Sequence, residues 1–133
     1  MFRPIQYDSG KAILVPVAST QTIYKGYALE WSSGYVQIAT TTSNDVRFVA
    51  LQDSVLATTG TLILVIPVEG VRFEADCDGV VSIVDRGTYA IMATAYTINP
   101  DDSTTYDQFY IDEIVGTAEV STVVRGHFVH ALE

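Results

Sequence analysis

The chain alternates short runs of β-forming residues with turn-forming residues, and this pattern limits the folds that it can adopt. Val, Ile and Thr make up about a third of the 133 residues, and eight Tyr and five Phe add to them. Branched and aromatic side chains favour extended backbone, and helical periodicity is hard to find. Nine runs have the composition of strands, namely 27–31, 35–40, 46–51, 61–68, 71–75, 80–84, 88–92, 109–115 and 121–130. The sequence therefore predicts an all-β protein.

The apolar pattern within the runs predicts which strand faces are buried. In VRFEAD, residues 71–76, apolar residues alternate with charged ones, as in a strand with one face in solvent. LILVI, residues 62–66, is apolar on both faces, and we expect it in the centre of a sheet. The segment 27–40 is typical of a hairpin that turns at 32–34.

Two segments of the chain resemble each other. KGYALEW (25–31) and RGTYAIM (86–92) each have a basic residue, a glycine and an alternating aromatic and aliphatic run. Similar runs follow both segments in the same order, and Gly70 and Gly126 take matching places. We interpret this order as two weakly similar half-units; the alternative is chance recurrence of glycine-bounded strands in a β-rich chain. On the first interpretation, Gly87 serves the turn that starts the second half-unit.

The length of the chain fits one domain with a core of its own. We assign residues 15–133 to one β domain, a compact barrel or sandwich with half-units at about 15–79 and 80–133. Residues 1–14 are either an extended arm that docks on a neighbouring subunit or an edge strand of the same domain.

The composition limits the classes of partner that the chain could bind. A net charge of −9 would repel a phosphate backbone, which argues against binding to nucleic acid. No apolar run approaches the roughly 20 residues of a membrane span, and we expect neither a membrane segment nor a secretion signal. Charged residues make up only 17% of the chain, and we expect partners to cover part of the uncharged surface.

The residues that usually carry chemistry do not form a recognisable site. His127 and His130 are three positions apart on a strand-like run, so they face opposite sides and could not easily share a metal ion. Cys77 lies between Asp76 and Asp78, whose charges would raise the pKa of the thiol and suppress the reactive thiolate.

The acidic turns at 76–79 and 99–107 lack the remaining ligands of a calcium loop, and Asp-rich turns explain them better. The chain has no nucleophile elbow, phosphate-binding loop or dinucleotide fingerprint. We therefore expect no enzyme activity, no metal and no cofactor.

Most of the chain, residues 15–129, resembles small β-rich phage capsid decoration proteins, also called head-stabilising or cement proteins. The resemblance rests on the order of five segments and on the glycines in their turns. These segments are YKGYALEWSSGYVQIATT, VRFVALQDSV, ILVIPVEGVRFEADCDG, DRGTYAIM and IDEIVGTAEVSTVVRGHFV. The resemblance implies a non-enzymatic protein of the virion exterior, assembled in the host cytoplasm. It also implies a homotrimer that binds the major capsid protein and bridges neighbouring capsomers.

On that reading, an N-terminal arm with one base and apolar groups suits docking, and the candidate capsid-contact residues are Phe2, Arg3, Pro4 and Ile5. Three other functions stay open. One is another β-rich virion component, such as a tail-tube or head-completion subunit. A carbohydrate- or receptor-binding module would use aromatic residues, namely Trp31, Tyr35, Tyr96 or Tyr106. A small hydrolase ranks last.

Overall fold

Thirteen strands in three sheets make up the fold of the described residues. The structure, a computed structural model, describes residues 1–43, 45–101 and 108–129. The strands are β1 (Phe2–Gln6), β2 (Ile13–Pro16), β3 (Gln21–Ile23), β4 (Ala28–Ser32), β5 (Tyr35–Ile38), β6 (Phe48–Ala50), β7 (Ser54–Ala57), β8 (Leu62–Pro67), β9 (Arg72–Asp76), β10 (Tyr89–Thr94), β11 (Thr97–Asn99), β12 (Phe109–Ile114) and β13 (Val123–Phe128). The predicted all-β class is confirmed. The sheets form a compact sandwich-like arrangement, not a closed barrel.

The two large sheets have the same internal topology. The five-stranded sheet has the order β2-β8-β6-β4-β5, and the six-stranded sheet has the order β1-β9-β13-β12-β10-β11. If the five strands of each set are numbered along the chain, both sets have the order first, fifth, fourth, second, third. β1 is an additional edge strand of the second set. β3 and β7 form a separate two-stranded sheet.

The alignment of neighbouring strands also recurs, with a spacing of 61 residues. Phe48 lies opposite Pro67 in the first set, and Phe109 lies opposite Phe128 in the second. The division between the two sets lies at 68–71, since β9 takes the place in its sheet that β2 takes in the other. This differs from the division at 79 and 80 that we drew from the sequence.

The turns that start β4 and β10 are built alike. Gly26 has φ +93° and donates its amide hydrogen to the Ala50 carbonyl at 2.9 Å. Gly87 has φ +83° and donates to the Ile111 carbonyl at 2.7 Å. Both glycines have the left-handed conformation that side chains disfavour, which explains why glycine is needed at both turns.

Eight of the nine predicted runs overlap a strand of the structure, with boundaries shifted by at most two residues, and the ninth does not. The segment 80–84 instead enters a short 3₁₀ turn at Ile83–Asp85. Asp85 stabilises this turn because its carboxylate accepts the Ser82 amide hydrogen at 2.8 Å. The strands β1, β2, β3, β7 and β11 were not among the nine runs.

Two apolar clusters hold the sheets together. Along β6, Val49 belongs to one cluster, while Phe48 and Ala50 belong to the other, so the clusters lie on opposite faces of the five-stranded sheet. The first cluster draws residues from both large sheets, and the second includes Ile23 of β3. β8 contributes Ile63 and Val65 to one cluster and Ile66 to the other, so the predicted burial on two sides holds for these residues, whereas Leu62 is exposed.

The N-terminal segment is an edge strand of the same chain. β1 pairs antiparallel with β9, with Phe2 opposite Ala75 and Pro4 opposite Phe73. At Phe2–Gln6 the structure matches the edge-strand interpretation of this segment. Ile13 and Leu14 belong to β2, so the predicted boundary between residues 14 and 15 divides that strand. Among these residues, no helix is long and apolar enough to cross a membrane.

Candidate partner-binding cleft

A cleft of about 640 Å³ lies between β1 and the five-stranded sheet. We call it the N-terminal cleft. It is lined by Met1, Phe2, Arg3, Pro4, Tyr7, Lys25, Gly26, Ala50, Leu51 and Leu64. Three of the four predicted capsid-contact residues thus share one cleft, and Ile5 is not among the lining residues.

Phe2 fixes β1 to the core. Its side chain is 1% exposed, and its ring packs against Phe128 and Phe109, with ring centres 4.7 and 5.9 Å away. Its amide hydrogen binds the Gly26 carbonyl at 3.0 Å. In this structure the Phe2 ring therefore stabilises the wall of the cleft and is not free for a partner.

Arg3 holds β1 to β9 through ion pairs. Its guanidinium donates to Glu74 at 3.1 Å and to both carboxylate oxygens of Asp76 at 2.9 Å. These hydrogen bonds lower the pKa of Asp76 to about 2, and the contact with Asp76 raises the pKa of Arg3. Two carboxylates already neutralise Arg3, so a partner would meet a paired cation.

Pro4 and Ile5 shape the outer edge of β1. The Phe2 amide points away from β9, and amide directions alternate along a strand, so Pro4 occupies a second position where an amide would point outward. Proline has no amide hydrogen, and its place on an edge opposes the addition of another strand. Ile5 is half-buried and lies in a bulge between Pro4 and Gln6.

The floor of the N-terminal cleft is apolar and its rim is polar. Ala50 and Leu64 of the five-stranded sheet, with Leu51 directly after β6, supply aliphatic surface. Tyr7, which is 46% exposed, and Lys25 lie at the rim. Apolar clefts with a few polar groups are the usual sites where proteins bind small molecules or the side chains of a partner. The N-terminal cleft can therefore take an apolar group and orient it with Tyr7 and Lys25.

Three of the residues that the sequence offered as capsid contacts line one side of this cleft, and the sequence offered none from the opposite side. Leu51 and Leu64 belong to runs that we predicted as strands, but no local pattern places them beside residue 2. The cleft depends on pairing between β1 and β9, which are about 70 residues apart. No sequence pattern within β1 or β9 predicts that the two strands pair.

The remaining titratable candidates do not form a site within the described ranges. Burial raises the pKa of Cys77 to about 12, with Asp78 and Asp76 adding to the effect, so the thiol is unreactive near neutral pH. The sequence analysis attributed the raised pKa of Cys77 to these two carboxylates, but burial of the thiol is the larger cause. His127 is exposed and packs against Tyr110.

His130 and two aspartates of the acidic loop, at 102 and 107, lie outside the described residues. No group of three His, Cys, Asp or Glu side chains that could hold a metal ion occurs in the described part.

The aromatic residues predicted for a glycan site are dispersed. Trp31 is exposed and packs edge-on against Phe48. Tyr96 stacks on Tyr27, while Tyr35 lies at the start of edge strand β5. Tyr106 lies outside the described residues.

Comparisons with known protein families, with curated proteins and with solved structures find no match to this chain.

Proposed function

We propose that the chain is a structural virion protein that binds the outside of a phage capsid and stabilises it by bridging capsomers. The sequence resemblance to decoration proteins supports this role. The observation that carries it on the structural side is the N-terminal cleft, an apolar recess beside the predicted contact residues. A recess of this kind suits the capture of an apolar side chain from a capsid subunit.

The architecture suits a bridging protein. The two repeated sheets pack around a shared core, and a packed core transmits force without large deformation. The net charge of −9 would keep decorated particles apart in solution. The floor of the cleft carries no charge, so docking there costs little desolvation.

The test is co-sedimentation with mature capsids of the phage that encodes the chain. Tyr7 and Lys25 line the rim without belonging to a strand, so the double variant Y7A/K25E should fold normally. We expect it to bind capsids at least about tenfold more weakly than the wild type, a loss of about 1.4 kcal/mol. Tyr35→Ala, an exposed tyrosine outside the cleft, is the matched control and should bind normally.

Unchanged binding by Y7A/K25E would contradict the use of this cleft. Binding to tails and not to heads would favour a tail-tube or head-completion subunit. Deletion of residues 1–8 is a poor test, because it would remove Phe2 from the core and damage the fold.

The proposal includes a trimer that binds the major capsid protein at local threefold positions. A solution mass of three times 14.5 kDa, measured by sedimentation equilibrium, is the expected result. A mass of one chain at all concentrations, with no binding to capsids, would contradict the proposal.

A second candidate function, a carbohydrate-binding module, is favoured by one observation. Tyr89, Tyr110 and His127 lie side by side across β10, β12 and β13, with successive ring centres 5.1 and 5.3 Å apart. Rows of rings on a sheet can stack against sugars. A glycan-array signal that is lost in Tyr89→Ala would support this function over the first.

A further inference from the structure

The two repeated sheets differ at one corresponding edge. β9 has β13 on one side and β1 on the other, whereas β2, in the same place of the five-stranded sheet, forms a ladder with β8 only. Just beyond β2, Val17 forms a parallel bridge with Val36 of β5, as Cys77 does with Ile98 of β11. Among the described residues, no strand pairs with the outer side of Ile13–Val15. One of two equivalent edges is thus covered by a strand that enters from outside the repeat, and the other is open at Ile13–Val15.

Leu14 presents its backbone to the open edge. The Val17 amide, one residue after β2, donates to the Thr61 carbonyl at 3.0 Å on the β8 side. Because amide directions alternate along a strand, the amide and carbonyl of Leu14 point to the other side. Pro16 lies on that side too and has no amide hydrogen. Leu14 therefore offers one donor and one acceptor to an added strand.

The side chains at this edge are apolar and exposed. Leu14 is 58% exposed, and Leu62 on the adjacent β8 is 53% exposed. At the positions of β9 that correspond to Leu14 and Pro16, Glu74 and Asp76 hold Arg3 of β1. The segment 12–17 carries no charge at all. The open edge is suited to an apolar strand, whereas the covered edge is suited to a basic one.

We propose that the open edge of β2 binds an extended, uncharged segment of a partner protein, which adds to the five-stranded sheet as an antiparallel strand. This mode of binding combines backbone hydrogen bonds with side-chain contacts on alternate residues. The identification of the partner as a capsid subunit rests on the proposed function, and strand addition itself does not.

The alignment of β1 on β9 predicts how the segment sits. Phe2 lies opposite Ala75, which corresponds to Val15, and Arg3 lies opposite Glu74, which corresponds to Leu14. The bound segment should thus place a large apolar residue opposite Val15. It should place an aliphatic residue opposite Leu14, where β1 has its arginine.

A second copy of the chain fits this edge less well than a peptide segment does. β2 has only four residues, and Pro16 removes one of its outward donors. A ladder this short buries far less than the roughly 800 Å² per partner of a stable interface. A flexible peptide segment can use a ladder this short, because strand addition by an extended peptide needs only an exposed sheet edge.

The test uses the full chain and a synthetic peptide, acetylated and amidated, with the sequence TFLTIQ. We expect binding in a calorimetric or fluorescence titration, and slower hydrogen exchange at the Leu14 amide in the complex. The peptide TFDTIQ, with a charge opposite Leu14, should bind about tenfold more weakly because its carboxylate loses water without gaining a partner.

Leu14→Pro removes the outward donor while leaving the β8 pairing in place, and it should bind TFLTIQ about tenfold more weakly. Leu14→Val keeps the donor and an apolar side chain, and it is the matched control that should bind normally. Thermal unfolding of both variants checks the fold. If Leu14→Pro unfolds, the TFDTIQ comparison and the exchange of the Leu14 amide still decide the question.

The absence of TFLTIQ binding, or protection at a place other than β2, would overturn the proposal. A doubling of mass that Leu14→Pro reverses would overturn it in favour of a second copy. Peptide binding without capsid binding would refute the proposed function alone. Capsid binding that Leu14→Pro leaves unchanged, together with no peptide binding, would refute strand addition alone.

Discussion

Replacing Phe2 by alanine tests whether the N-terminal strand belongs to the domain. The ring is 1% exposed and contacts Phe109 and Phe128 of the first apolar cluster. Removal of a buried phenylalanine ring costs about 3–5 kcal/mol, and we expect the low end because an edge strand can shift toward the gap. A loss of about 3 kcal/mol is a large part of the 5–15 kcal/mol that stabilises a typical domain.

Urea unfolding followed by tryptophan fluorescence measures this loss, since Trp31 is the single tryptophan. We expect the midpoint temperature of thermal unfolding to fall by about 10 °C. Tyr7→Ala, just beyond β1 and exposed, is the control and should change stability by less than about 0.5 kcal/mol. If Phe2→Ala and Tyr7→Ala are equally stable, β1 does not pack on the core and the free-arm interpretation returns.

Three further changes test other parts of the structure. Gly87→Val forces a branched residue into φ +83° and should cost about 2 kcal/mol in a thermal melt, and wild-type stability would contradict the turn. Gln108→Met should cost about 2 kcal/mol in urea, because the buried amide of Gln108 donates to three carbonyls in the turn 40–43; no loss would show that these bonds are not made. The low pKa of Asp76, held by Arg3, stabilises the fold above pH 4, and this contribution disappears as the pH falls from about 4 to 2. With 37% of the Asp76 side chain exposed, we expect about 1 kcal/mol after screening, and Asp76→Asn should lose less stability than the wild type between pH 5 and 2.5.

The sequence predicts the local features of the fold well, because they depend on neighbouring residues. The hairpin at 27–40 has its turn at Ser33 and Gly34, which both adopt positive φ. Gly26 and Gly87 serve matching turns, as their shared sequence context indicates.

Features that depend on contacts distant in sequence were harder to predict. Gly126 corresponds in the structure to Val65 of β8 and not to Gly70. Gly70 has φ +71° in a turn, whereas Gly126 lies within β13, where an added Cβ would overlap the Tyr110 carbonyl. A glycine required by packing and one required by the backbone look the same in a sequence.

The N-terminal cleft illustrates the same limit for function. Residues 2–5 were chosen from their composition; residues 2–4 line the cleft, and Ile5 does not. The prediction that their side chains are free to contact a partner was too simple, because Phe2 enters the core and Arg3 pairs with Glu74 and Asp76. Both outcomes follow from the pairing of β1 with β9, which brings distant segments together.

Co-sedimentation of the purified chain with mature capsids of the phage that we propose encodes it tests the central claim most directly. The account predicts that the wild type pellets with the capsids and saturates them, and that Y7A/K25E stays mostly in the supernatant. Wild-type protein that remains in the supernatant at micromolar concentrations, while it is folded by its thermal transition, would contradict the account.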